Sequence, residues 1–240
     1  MTAKHPRARL VESVALNQEI KHYVFECLNS PVFHFDPGQF ICFLKTFGDK
    51  PLKAYYSVAS APDGSNRFEL CLNPAQDSSP FGEHLRNLQP GGILEYEGPG
   101  GNFRLNDPAG KSIFVAHGTG ITPIRSMLLH LLESSPRSAS PPLTLIYGAR
   151  DPEWLLYAGE FEQLQARHAN FRFWPTLSRP ANGWQGRRGY VQEHLEEAAA
   201  PFCSDTDFYL CGRRAMVDEV CRRLAAAGVA EGHIHYEKYG

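Results

Sequence analysis

Two glycines and a pair of threonines near the middle of the chain carry the clearest chemistry. The stretch Ile113-Phe114-Val115-Ala116-His117-Gly118-Thr119-Gly120-Ile121-Thr122-Pro123 reads as a buried strand, a tight turn and the start of a helix. The unbroken apolar run Ile113 to Ala116 suits a parallel strand covered on both faces. Gly118 and Gly120 permit positive φ and close backbone approach. Thr122 is placed to cap the following helix and Pro123 fits its first position. Ile124, Met127, Leu128, Leu131 and Leu132 then fall on one helical face. Such a turn aims backbone N–H groups from the positive end of a helix dipole, which suits the phosphates of a dinucleotide.

The elements that must position this turn divide the sequence in two. Before it, short β runs alternate with turns: Arg9 to Ala15, His22 to Leu28, Ile41 to Leu44, Lys53 to Ser60, Arg67 to Leu72 and Ile93 to Glu97, with a short helix over Pro80 to Leu88. About six strands in about 100 residues predict a small antiparallel Greek-key barrel. From Lys111 onward strands Ile113–Ala116, Leu143–Tyr147, Phe171–Trp174, Phe208–Cys211 and Ile234–Tyr236 alternate with helices, including Tyr157 to His168 and one within Gly189 to Ala199. That order predicts a parallel sheet with helices on both faces. The expected fold is therefore β followed by α/β, with domains over residues 1–107 and 108–240.

Bulk properties narrow the function. With 24 Lys and Arg against 26 Asp and Glu, the net charge of −2 argues against a nucleic-acid binder. No apolar run is long enough for a membrane span, and the basic stretch Met1 to Arg9 precedes no apolar core of a signal peptide. None of the six cysteines are spaced C-x-x-C, so no metal or iron–sulfur site is expected. Buried thiols in a reducing cytoplasm are the simplest reading of them.

From about residue 9 to the end, the chain resembles the ferredoxin–NADP⁺ reductase family. Pro37-Gly38-Gln39-Phe40, Tyr56-Ser57-Val58-Ala59-Ser60, Gly98-Pro99-Gly100-Gly101-Asn102-Phe103, Gly118-Thr119-Gly120-Ile121-Thr122-Pro123, Tyr147-Gly148-Ala149-Arg150, Leu210-Cys211-Gly212 with Met216, and Glu237-Lys238-Tyr239 resemble its motifs, in order. A single glycine pattern is weak; seven in sequence are specific.

The resemblance implies FAD, in preference to FMN, and NADPH or NADH. It places Tyr56 flat against the flavin, where stacking contributes about 0.5–1.5 kcal/mol, and Ser57 beside flavin N5. Val58, Ala59, Leu72 and Asn73 join the flavin set, and the backbone N–H groups around Pro80, Phe81 and Gly82 hold its pyrophosphate. Gly118, Thr119, Gly120 and Thr122 take the nicotinamide nucleotide's pyrophosphate. Cys211, with Gly212, lies under the nicotinamide; Glu237 reaches toward the flavin and relays a proton; Tyr239 shields the flavin. Met216 joins this set by position, but opens an amphipathic helix and reads rather as core packing. Ser178, Arg179, Arg187 and Arg188 follow a strand end, with Arg150 nearby, and suit the 2′-phosphate of NADPH; Asp151 beside Arg150 keeps NADH open.

Two departures stand out. The family's pyrophosphate-binding arginine falls at Ala54, so a bidentate charge-assisted contact is missing; Lys53 should face the other way, and Arg104 is another candidate. His117 replaces the first glycine of the nucleotide loop, to touch the cofactor or to fill space. The implied function is a cytoplasmic flavoprotein reductase passing electrons between NAD(P)H and a separate ferredoxin, flavodoxin or oxygenase component, with Lys53, Arg86, Arg104, Arg213 and Lys238 as a candidate docking face. A flavin reductase that releases reduced flavin, and a non-catalytic flavin-binding redox subunit, are the alternatives.

Overall fold

The computed structural model describes residues 5–74, 79–106, 110–134, 141–199 and 205–239. Cys203 and most of the Ser/Pro-rich loop after Ser134 lie outside them. The chain divides into two compact units, Met1–Arg104 with Arg125–Ser134, and Leu105–Ile124 with Ser135–Gly240.

The first unit holds strands β1 (Arg7–Ala15), β2 (Lys21–Cys27), β3 (Phe40–Phe47), β4 (Lys50–Ser57) and β5 (Arg67–Leu72), helix α1 (Pro80–Asn87) and strand β6 (Ile93–Gly100). All its pairings are antiparallel, in the order β4-β3-β6-β1-β2-β5. A bridge between Val58 and Leu70 joins the end of β4 to β5, so the two outer strands meet. Period-two patterning drives this closure: Tyr23, Phe25 and Cys27 of β2 point inward while their neighbours are half-exposed. Phe25 packs on Phe43 and Phe68 at centroid distances of 5.1 and 5.6 Å, each such burial contributing about 1.5–3 kcal/mol. Between β1 and β2, Asn17 Oδ1 accepts the N–H groups of Glu19 and Ile20 and makes the expected turn. Helix α1 buries Phe81 and Leu85, one turn apart.

Strand β4 begins three residues earlier than the sequence suggests and stops at Ser57. The charged stretch Lys45 to Lys50 forms a hairpin around Gly48, at φ +60°, a conformation glycine adopts without strain. Beyond Ser57 the Val58 N–H leaves the ladder for the Gln39 carbonyl (2.9 Å).

The second unit holds β7 (Ser112–His117), α2 (Ile121–Leu129, of which residues from Arg125 on are counted with the first unit), β8 (Leu143–Ala149), α3 (Ala158–Arg167), β9 (Phe171–Leu177), β10 (Arg187–Arg188), α4 (Leu195–Ala199), β11 (Asp207–Arg213), α5 (Arg214–Ala226) and β12 (Ile234–Tyr239). Its sheet is wholly parallel, ordered β10-β9-β8-β7-β11-β12. The chain moves outward from β7 through β8 and β9, then returns to the other side of β7 with β11. The strand order therefore reverses between β7 and β11, and ligands of open α/β sheets bind outside the carboxyl ends at such a point. Strands β7 and β8 are buried almost throughout, as two-sided cover requires. Among the described residues Cys27, Cys42, Cys71 and Cys211 are buried free thiols and Cys221 is half-buried.

One helix start differs from expectation. A short 3₁₀ turn, Gly118–Gly120, precedes α2, so Thr122 lies inside the helix and does not cap it. Its Oγ1 instead donates back to the Thr119 carbonyl at 2.7 Å. Pro123 is the third helical residue, tolerated because the first four N–H groups of a helix have no partner within it.

Candidate functional site

In the first unit, the alternation of β4 separates the two adjacent tyrosines. Tyr55 is 61% exposed and meets Phe40 edge-on. Tyr56 and Ala54 turn to the apolar interior, with Tyr56 6.1 Å from Phe43 between ring centroids. Ser57 is buried at the strand end, and Val58 and Ala59 are fully buried. Their N–H groups are committed, Val58 to Gln39 O and Ala59 to Glu69 O (2.7 Å). The Pro37–Phe40 and Gly98–Phe103 motifs are pressed together here: a Cβ on Gly38 would lie 2.2 Å from the Phe103 carbonyl oxygen.

The start of α1 offers less than the sequence reading supposed. Pro80 has no N–H. Ser79 Oγ accepts from Phe81 N–H and Gly82 N–H at 3.2 and 3.3 Å. Leu72 is buried, and Asn73 donates to Glu19 at 2.9 Å. The substitutes for the missing arginine are engaged elsewhere: Lys53 pairs with Glu97 (2.7 Å) and Arg104 with Asp36 (3.1 Å).

In the second unit, register brings the nucleotide loop and the thiol together. Cys211 lies opposite Ala116 of β7 on one side and Glu237 of β12 on the other. A Cβ on Gly120 would sit 2.3 Å from the Cys211 carbonyl oxygen, so only glycine lets the loop close on β11. Gly118, at φ +58°, has open space where a Cβ would be. The hydroxyl of buried Tyr147 lies 3.0 Å from Gly118 O and accepts from Leu156 N–H, fixing the loop from below. The methyl of Met216 covers Gly212, and Met216 packs on the core between sheet and α5.

Burial pushes the Cys211 thiol well above its ordinary range, the Glu237 charge adds to this, and a hydrogen bond with Tyr239 opposes it. Cys211 is therefore a neutral thiol at physiological pH. His117 is shifted down by burial and then by the Arg213 charge, so its imidazole is neutral. Glu237 and Tyr239 belong to β12, which runs three residues past its expected end.

The arginines near the ends of β8 and β9 fall into two kinds. Arg150 pairs with Asp151 (3.2 Å) and lies over Trp154. Arg187 grips Glu197 with two bonds of 2.5 and 2.7 Å and stacks on Trp174 at 3.8 Å. Arg188 donates to the Trp184 carbonyl. Arg179 is exposed, and its guanidinium has no partner among the described residues; only its N–H is bound, to Arg150 O. Ser178 N–H bonds to Ala149 O beside it.

Arg125, not expected from the sequence, is a buried cation and the one charged residue of α2, bound to Glu69 at 2.7 Å. A lone charge among apolar helical residues is a signal that a buried partner exists.

Residues 7–105 match the family described as an oxidoreductase FAD-binding domain, and residues 114–222 that described as an oxidoreductase NAD-binding domain. Ferredoxin–NADP reductase B of Sorangium cellulosum is 38% identical over 241 residues, covering 97% of this chain and 96% of that protein. The chain belongs to the ferredoxin–NADP reductase family. A more distant relative, the glycine betaine monooxygenase reductase subunit of Pseudomonas aeruginosa, is 26% identical over 97% of this chain, which spans 63% of that protein's length. In fold, this family member matches a ferredoxin NADP⁺ reductase from Neisseria gonorrhoeae, solved with bound FAD and NADP, at a TM-score of 0.83 and 23% identity, covering 98% of this chain and 99% of the other.

The reductase is thus an FAD- and NAD(P)-dependent oxidoreductase, and its residues fit both groups. The open space at Gly118 and the fit of Gly120 on Cys211 make a backbone cradle of the kind a pyrophosphate takes. At α1, the long bonds to Ser79 are ones that a phosphate oxygen, with shorter charge-assisted bonds, can replace.

Proposed function

We propose that the protein is a reductase moving electrons between NADPH and a separate one-electron carrier, a ferredoxin, a flavodoxin or an oxygenase component, with residues 1–107 serving the flavin and 108–240 the nicotinamide nucleotide. Its near-full-length similarity to a ferredoxin–NADP reductase of comparable size carries this reading. FAD, held by the barrel residues, would supply hydride and one-electron redox chemistry.

The chain's own residues hold, orient and shield. Tyr56 offers a ring face to the flavin and Ser57 a hydroxyl. Phe81 and Gly82 give N–H groups to its pyrophosphate, with Val58, Ala59 and Leu72 shaping the wall and Asn73 at its rim. Gly118, Thr119, Gly120 and Thr122 hold the nucleotide pyrophosphate, and Gly212 lets His117 and Met216 pack close beside Cys211. Cys211 acts as a neutral packing thiol, the Glu237 carboxylate relays a proton, and Tyr239 fixes the thiol by its hydrogen bond. Arg179, with Ser178, meets the 2′-phosphate and favours NADPH; Arg150 and Arg187 support that end through their stacked rings. A cytoplasmic setting suits such an enzyme, and no helix among the described residues is long and apolar enough to cross a membrane.

The proposed docking cations do not form a free basic face. Lys53, Arg104 and Lys238 are each paired with a carboxylate, and Arg86 donates to Pro74 O. Arg213 is the exposed one without such a pair among the described residues.

Ala54 favours a second reading, a flavin reductase that lets reduced flavin go. Gel filtration separates the two: FAD retained through the column supports the carrier-linked enzyme, and loss of FAD supports flavin release. NADPH oxidation with ferricyanide and then with purified ferredoxin tests the activity; silence with both, flavin bound, would overturn it in favour of a non-catalytic subunit.

A further inference from the structure

The segment directly after Ser57 is held from two sides. Arg125 Nη1 donates to the Ala59 carbonyl at 2.9 Å and to Glu69 Oε2 at 2.7 Å. Next to it, Ser126 Oγ donates to the Ser60 carbonyl at 2.6 Å. From β5, the Glu69 carbonyl accepts Ala59 N–H at 2.7 Å, and Glu69 N–H donates to Ser60 Oγ at 3.1 Å. His22 Nε2 stands 3.8 Å from the same Glu69 oxygen. Both Ala59 and Ser60 are thus fixed on their donor or hydroxyl side by β5 and on their carbonyl side by α2.

We propose that Arg125 and Ser126 are positioning residues of the flavin site, setting the Val58–Ser60 backbone and through it the Ser57 hydroxyl. Stability alone does not call for this arrangement, because a well-packed apolar group often serves as well as a buried ion pair. What a charge pair adds is a fixed geometry at a defined backbone carbonyl. Strand β4 needs such a restraint, since Ala54 gives it no guanidinium of its own to bind the flavin. The inference rests on the flavin reading of the barrel.

The test compares FAD-loaded wild type with Arg125→Gln, Arg125→Lys, Glu69→Gln, Ser126→Ala and a core control, Leu10→Val. FAD dissociation constant, visible spectrum and midpoint potential are read beside the melting temperature. Arg125→Gln should weaken FAD about tenfold, the loss of one charge-assisted hydrogen bond, and shift spectrum and potential. Arg125→Lys should recover part of both, and Leu10→Val should lower only the melting temperature. Unchanged FAD affinity, spectrum and potential in folded Arg125→Gln overturns the proposal. Should that variant not fold, Ser126→Ala decides: a spectral shift with about threefold weaker FAD supports it, and no change refutes it. A wild type that binds no FAD removes the flavin reading itself.

Discussion

The two units prepare their ligand sites in opposite ways. In the barrel the segment we assign to the flavin is already bonded to its own protein: Val58 and Ala59 N–H groups, the Ala59 and Ser60 carbonyls and the α1 cap all have internal partners. In the α/β unit some of the positions assigned to the nucleotide are left open: Gly118 has open space where a Cβ would be, and the Arg179 guanidinium has no partner among the described residues, while Arg150 and Arg187 are paired with carboxylates. Prior bonding suits a group that is bound once and kept. Open space and an uncommitted guanidinium suit a nucleotide that must enter and leave at every turnover, because little has to be broken for it to bind.

Substitutions at the reacting end should test this contrast most severely. Replacing Glu237 with Ala should lower NADPH turnover by about 100-fold, the lower end of a proton-transfer role, while flavin content per protein stays near wild type; Cys211→Ala should follow the same pattern less steeply. Flavin lost in step with turnover would break the division between the units. Because the Cys211 thiol is raised well above its ordinary range, wild type and Cys211→Ala should also share the same pH profile from neutral to mildly alkaline pH.

Next in size is Gly120→Ala. The new methyl meets the Cys211 backbone, which cannot yield as a side chain end can, so unfolding stability should drop by about 1–3 kcal/mol, with a raised KM for both nucleotides. A melting curve like wild type would show that the loop and β11 are not locked.

A smaller effect sharpens the picture of the adenosine end. Arg179→Ala should raise KM for NADPH about tenfold and leave NADH little changed, whereas Arg187→Ala should act on both nucleotides alike, since its charge is committed to Glu197. Equal loss for NADPH and NADH in Arg179→Ala would remove that residue from phosphate recognition.

The smallest effect concerns acid. His117 has its folded pKa depressed below 6.5 by burial and by Arg213. As pH falls through 6.5 the unfolded chain takes up the proton first, so the stability contributed by neutral His117 is lost until the folded pKa is passed. His84 in the barrel is shifted the same way, by burial and Lys45, so both add to the wild-type slope. His117→Asn should flatten, without abolishing, the decline below pH 6.5 in urea titrations; an unaltered slope would place His117 outside this balance.

Much of this architecture was legible in the residues, for identifiable reasons. Turn-forming residues such as Asn17 and Gly91-Gly92 delimit barrel strands locally, and continuous apolar runs such as Ile113–Ala116 mark covered parallel strands. What escaped the sequence was decided by partners far along the chain. Nothing near Arg125 announces Glu69, 56 residues away, and nothing in Arg187-Arg188 tells which guanidinium Glu197 will claim. The reading of Thr122 as a cap failed because a 3₁₀ turn absorbed the helix start. The missing arginine at Ala54 was visible at once, but not what holds the segment in its place.

The contact between Gly120 and the Cys211 carbonyl carries a lesson for redesign. Parts that touch backbone to backbone can change only in concert, so this corner of the protein should resist stepwise alteration. The exposed arginines that we assign to the adenosine end, such as Arg179, are separate side chains on the surface, so if that assignment holds in the KM test, an engineer wishing to exchange one dinucleotide for the other can alter them one at a time.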